Sequence, residues 1–87
     1  MATLVLPNSL TQLFPGAPRR VQVAAGSVAE ALDRLDEQWP GMRSRLCDTP
    51  ATLRRHITVF VDSRQADLAT PLAPEGEVQI IPALSGG

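Results

Sequence analysis

A chain of 87 residues is enough for one domain with a single small core, well above the roughly 40 residues below which disulfides or metals are usually needed. Its 44% hydrophobic and 20% charged residues are ordinary for a soluble globular protein, not for a disordered or fibrous one. Eight basic residues, every one arginine, against nine acids leave a net charge of −1, which lends no support to nucleic-acid binding, and no segment nears the roughly 20 apolar residues needed to span a bilayer.

Thr3 to Leu6 is a β-favouring run that stops at Pro7-Asn8, and Arg20 to Ala24 is a second run with alternating polarity. The two read as a loop-linked hairpin. Between them, Asn8 to Pro18 carries Leu10, Leu13 and Phe14 among turn residues, which suggests a long connection with a few apolar anchors. Ser27 as N-cap and Glu30 three residues on form a capping-box pattern that opens the one clear helix. Val28, Leu32, Leu35 and Trp39 then share a helical face, and Pro40-Gly41 ends it. A single apolar stripe needs a sheet to cover.

Met42 to Leu46 adds a short helical turn, and Asp48 to Arg55 reads as loop. Ile57 to Val61 is the strongest strand candidate, being β-branched and aromatic throughout. Asp62-Ser63-Arg64 turns the backbone, Gln65 to Leu68 is a brief edge strand, and Glu77 to Ile81 is the final strand, ended by Pro82. The order strand, strand, helix, strand, short strand, strand predicts an α+β fold with one helix packed on one sheet face. No internal linker marks a second domain.

Conventional catalytic constellations are missing from this pattern. His56 is the single histidine, and no Ser/His/Asp or Cys/His set assembles around it. Cys47 has no intrachain partner, so no disulfide framework or zinc spacing arises, and a reducing cytoplasm fits best. It reads as a small buried thiol. Arg43, Arg45, Arg54 and Arg55 cluster in sequence, either as a solvated surface or as a basic patch for an acidic partner. No metal site and no bound cofactor are expected.

What remains is the end, Ala83-Leu84-Ser85-Gly86-Gly87. Two terminal glycines remove every Cβ near the carboxylate, so that this backbone threads a narrow channel. A free α-carboxylate is an anion at neutral pH and a poor electrophile. Chemistry there requires activation, such as adenylation, after which a sulfur nucleophile attacks the acyl carbon. The chain has no phosphate-binding loop, so a separate activating enzyme is implied.

The strand pair, the capped helix, the segment Trp39 to Leu46, the turn Glu75-Gly76-Glu77, the closing strand and the terminal Gly86-Gly87 together resemble the MoaD/ThiS family of small ubiquitin-like sulfur carriers. The resemblance implies a β-grasp over residues 1–82, a mixed sheet of four to five strands with its first and last strands parallel at the centre, and a flexible tail over 83–87. It also implies that an enzyme of the ubiquitin-activating type, consuming ATP, adenylates Gly87, which then becomes a thiocarboxylate. Gly86, Ser85 and Leu84 would enter partner active sites. Phe60 and Ile81 are candidates for an apolar docking patch on the sheet face away from the helix. The chain would thus be no enzyme but a cosubstrate. Its sulfur acceptor is a cysteine-synthase-like enzyme or, alternatively, the large subunit of molybdopterin synthase; a ubiquitin-like protein modifier is a further reading. Asp62 and the Glu-Gly-Glu turn depart from the family's common Asn and Asp-Gly-Asp, and both keep the turn chemistry.

Overall fold

A computed structural model describes residues 1–82. In chain order these form β1 (Ala2–Val5), α1 (Asn8–Leu13), β2 (Arg20–Val23), α2 (Val28–Gln38), α3 (Met42–Leu46), β3 (Cys47–Thr49), β4 (Thr52–Leu53), β5 (Ile57–Val61), β6 (Arg64–Ala66) and β7 (Glu77–Pro82). Five strands make one sheet in the order β2-β1-β7-β5-β6, and β3 and β4 form a separate two-stranded ribbon.

Alternation within each strand decides which face becomes core. Ala2 and Leu4, Val21 and Val23, Val59 and Val61, and Val78 and Ile80 all turn to one side and are buried. On that side α2 lays down Val28, Ala31, Leu32 and Leu35, none of them accessible to solvent. Met42 and Leu46 from α3 and Leu6 and Leu10 from the first connection close the rim of the same core.

β7 is the central strand. It runs parallel to β1, with Leu4 opposite Val78, and antiparallel to β5, with Val59 opposite Ile80. This is the mixed five-stranded, one-helix β-grasp arrangement anticipated above, with the first and last strands side by side.

Three local expectations need correction. Asn8 to Leu13, read as loop, is a helix: Leu10, Leu13 and Phe14 have i, i+3, i+4 spacing, and Leu10 is anchored in the core. Residues 47–53, read largely as loop, contain the β3/β4 ribbon, whose tip is closed by a 2.7 Å bond between the Thr49 and Thr52 hydroxyls. The edge strand begins at Arg64 rather than Gln65 and ends at Ala66, after a tight turn in which Asp62 and Ser63 both take positive φ. No helix among the described residues is long and apolar enough to cross a membrane.

Candidate functional site

The tail's stem is β7, and its position is determined at both ends. At its start, the Asp62 side chain crosses from the β5–β6 turn to accept the Glu77 N–H at 3.0 Å through Oδ1, while the Asp62 N–H donates to the Glu77 carbonyl at 2.9 Å. Beside it the Thr3 N–H donates to the Gly76 carbonyl at 2.9 Å, which ties the Glu75-Gly76-Glu77 turn to β1. A Cβ on Gly76 would stand 3.2 Å from the Ala73 carbonyl, so the close approach itself favours glycine. The strand ends at Pro82, paired with Ile57, and proline's missing N–H prevents the ladder from running further on that residue's donor side.

Of the residues singled out from sequence, Gly87, Gly86, Ser85 and Leu84 lie outside the described residues. Phe60 and Ile81 fall on the sheet face away from α2, as the register shows: Thr58 faces Ile81 and Phe60 faces Gln79, so the two apolar side chains are diagonal neighbours. Ile81 is 43% exposed and Phe60 is half-buried. Val5, opposite Gln79 on the other flank, shares that face. The Arg20–Glu77 ion pair, 2.9 Å long, bounds it toward β2.

Outside this face, the arginines that cluster in sequence divide in space, Arg45 and Arg54 lining one hollow and Arg43 another. Arg43 turns inward to α2, its Nε 2.8 Å from Asp33 Oδ1 as a charge contact without an in-line hydrogen bond, and its NH2 donates to the Pro50 carbonyl. Arg54 bonds the Ser44 carbonyl through two nitrogens and pairs with Asp48 at 3.2 Å. Arg45 is exposed, and no carboxylate among the described residues pairs with it.

His56 is exposed beside Arg45 and Arg54 in a hollow that Ser9 also lines. Cys47 is 6% exposed, and burial pushes its thiol above the ordinary range, against a partial opposing pull from Arg43. Such a thiol is a poor nucleophile. Among the described residues no group of three or more His, Cys, Asp or Glu side chains is placed to hold a metal. The helix α1 and the groove it forms with Arg45 and Ile57 were missed from sequence; the spacing of Leu10, Leu13 and Phe14 was the available signal.

The architecture is shared with solved structures. The Amycolatopsis orientalis CysO, seen in a BexX/CysO complex, superposes with a TM-score of 0.89 at 24% identity over 100% of both chains. SAMP1 from Haloferax volcanii superposes with a TM-score of 0.77 at 29% identity, covering 99% of this chain and 98% of that one. The sheet order and its single covering helix define a ubiquitin-like β-grasp protein. In sequence, the sulfur carrier protein CysO of Mycobacterium tuberculosis is 26% identical over 98% of this chain and 97% of its own length. The family model described as the ThiS family matches residues 12–87, and the chain belongs to that family, among the MoaD/ThiS-type ubiquitin-like sulfur carriers.

Proposed function

We propose that this protein is a sulfur carrier whose C-terminal Gly87 is the chemically active residue and that it supplies sulfur for the biosynthesis of cysteine or a related small metabolite. The observation that carries this reading is the extent of the family match, which runs to residue 87 and so includes Gly86 and Gly87. The CysO relatives, curated as sulfur carrier proteins, favour the cysteine branch over the molybdopterin synthase subunit.

The chemistry follows from the carboxylate. Its oxygen attacks the α-phosphorus of ATP on an adenylating enzyme of the ubiquitin-activating type, and pyrophosphate leaves. Hydrosulfide or an equivalent sulfur nucleophile then attacks the acyl carbon, AMP leaves with the bonding pair, and the tail ends as a thiocarboxylate. On an acceptor enzyme, cysteine-synthase-like on this reading, the thiocarboxylate sulfur attacks the acceptor's carbon, and water hydrolyses the resulting acyl linkage, leaving the sulfur on the product and returning the carboxylate. This chain contributes no catalytic group: it presents the end and positions it. From Ala83 to Gly87 the backbone spans at most roughly 17 Å, enough to carry the carboxylate into a cleft while the folded body stays outside. Phe60, Ile81 and Val5 supply an apolar face for that body to dock. Leu84, Ser85 and Gly86 would line the channel wall, where glycine's lack of a Cβ matters most.

A modifier reading has its own support, since SAMP1, a small archaeal modifier protein, is a structural relative at 28–29% identity. Intact-mass measurement of protein purified from its native host separates the two. One oxygen replaced by sulfur at the C-terminus is the carrier result; isopeptide adducts on lysines of other proteins are the modifier result and would overturn the carrier reading. Deletion of Gly87 is expected to abolish sulfur loading while leaving the thermal midpoint in place.

A further inference from the structure

Two hollows flank the point where β7 ends, and Pro82 lies in the wall of both. The larger, of about 450 Å³, runs between α1 and the start of β5. Its floor is apolar, from Leu10, Leu46 and Ile57, and its lip is Leu13, 54% exposed. Arg45, Arg54 and His56 stand around it. The smaller hollow, on the other side of Pro82, carries Arg19 beside Ile81. Among the described residues no aspartate or glutamate lines either one, and Asp48 reaches the first only through its pair with Arg54.

Strand direction explains why the charges collect here. β1 and β7 are parallel, so their C-terminal ends lie together, and β2 and β5, antiparallel to them, bring their N-terminal ends to the same edge. That edge therefore receives Arg19 ahead of β2 and Arg54, Arg55 and His56 ahead of β5. The opposite edge receives Asp62, Glu75 and Glu77, with Arg64 and the Met1 ammonium among them. A chain with net charge −1 thus still gathers several cations around the end of β7.

Of the three exposed large hydrophobic residues among those described, Leu13 and Ile81 are at this end. An exposed leucine at the lip of an apolar groove ringed by arginines is the arrangement of a docking site with an apolar anchor and a charged rim.

We propose that the groove between α1 and β5 is a docking site for an acidic surface element, bearing one large apolar side chain, on the enzyme that adenylates the tail. This rests on the carrier reading, because the occupant is the protein that receives residues 83–87. Its apolar side chain fills the space above Leu10, Leu46 and Ile57 against Leu13. Its carboxylates pair with Arg45; Arg54, already held by the Ser44 carbonyl through two nitrogens and by Asp48 through the third, forms the wall beside it. Engagement at the tail's root orients the body so that the last five residues point into the cleft. The same charges attract the enzyme before contact, so the effect falls mainly on encounter and on salt dependence.

The test uses the full-length chain and the purified adenylating enzyme of its native host, with ATP–pyrophosphate exchange followed as the carrier concentration is varied. Arg45→Glu is expected to raise the KM for the carrier ~10-fold with kcat unchanged and to flatten its dependence on salt, whereas Arg45→Lys stays within about twofold of wild type. Leu13→Ser is expected to raise KM several-fold, roughly the loss from one partly buried leucine contact. Should Leu13→Ser lower the melting midpoint, Arg45, which is exposed and makes no internal bond among the described residues, carries the test alone. A wild-type KM and salt dependence in Arg45→Glu would overturn the docking proposal while leaving the carrier reading intact. A wild-type chain that is not adenylated at all, its mass never showing sulfur in the host, would overturn the carrier reading and this one with it.

Discussion

Asp62 has φ 48° and Ser63 φ 72°, a left-handed pair that places the Asp62 carboxylate over the start of β7. Asparagine and aspartate tolerate this region because their short side chains bond locally, which is why an aspartate serves here. Replacing Asp62 by Asn is expected to preserve the bond from the Glu77 N–H, whereas Asp62→Ala should cost about 1 kcal/mol in denaturant unfolding, the usual net value of one hydrogen bond. Cys47 supplies a pH signature. Its thiol is raised in the folded state by burial, so the stability it permits is fully present below the ordinary thiol range and declines as pH rises through it, when the unfolded chain ionises more readily. Cys47→Ala is expected to flatten that alkaline decline in a thermal melt series; an unchanged decline would assign it to another group.

At the scale of the element, α2 shows how several weak terms secure one helix. Its N–H groups at Val28 and Ala29 donate to the carbonyls of Thr70 and Leu68, and the third, at Glu30, is bonded by the Ser27 hydroxyl at 3.2 Å. Glu30 reaches back to the Gly26 N–H at 2.6 Å, one residue ahead of the position a capping box would use. The loop 68–72 thus completes what the cap begins, and the Leu72 N–H returns a bond to Gly26. Because the loop holds two of the donors, Ser27→Ala should cost about 1 kcal/mol and leave the helix in place. The short α1 behaves differently. Six residues without a side-chain cap do not hold a helix by themselves, so Leu10, 4% exposed, must anchor it. Leu10→Ala is expected to destabilise by about 2–4 kcal/mol and Leu13→Ser by less than about 0.5, read as shifts in the denaturation midpoint.

For the whole molecule, the decisive feature is that the strand leading to the tail is central. β7 is bonded to β1 on one side and β5 on the other, so its backbone cannot open without breaking two ladders. The amides of Val78, Gln79 and Ile80 are therefore expected to exchange with solvent only through global unfolding, and those of β6, at the sheet edge, through local opening. Comparable exchange rates in the two strands would contradict the topology. A carrier benefits from this, because a pull on the tail during transfer is met by the whole sheet. The same antiparallel and parallel pairings bring Arg19, Arg54 and His56 to the edge where β7 ends, so one topology supplies both the anchored stem and the cations beside it.

Much of this was legible in the residues. Ser27 and Glu30 marked the start of α2, the spacing of Val28, Leu32 and Leu35 marked its buried face, and the β-branched run Ile57 to Val61 marked β5. These are local signals, each contained within one element. The α1 helix and the β3/β4 ribbon were not legible, because Leu10 is helical only when the core accepts it and Thr49 pairs with Thr52 only when α3 delivers Cys47 to that position. The arginine cluster was left open for the same reason: neighbours in sequence, Arg43 and Arg45 end in different surroundings, one against Asp33 and the other over the groove. The sequence by itself therefore determined the class of fold, since periodicity and capping are written in consecutive residues. The tertiary structure alone decided which side of the sheet carries Phe60 and Ile81 and where the cations collect, because those depend on the register and direction of strands that meet only after the chain has folded.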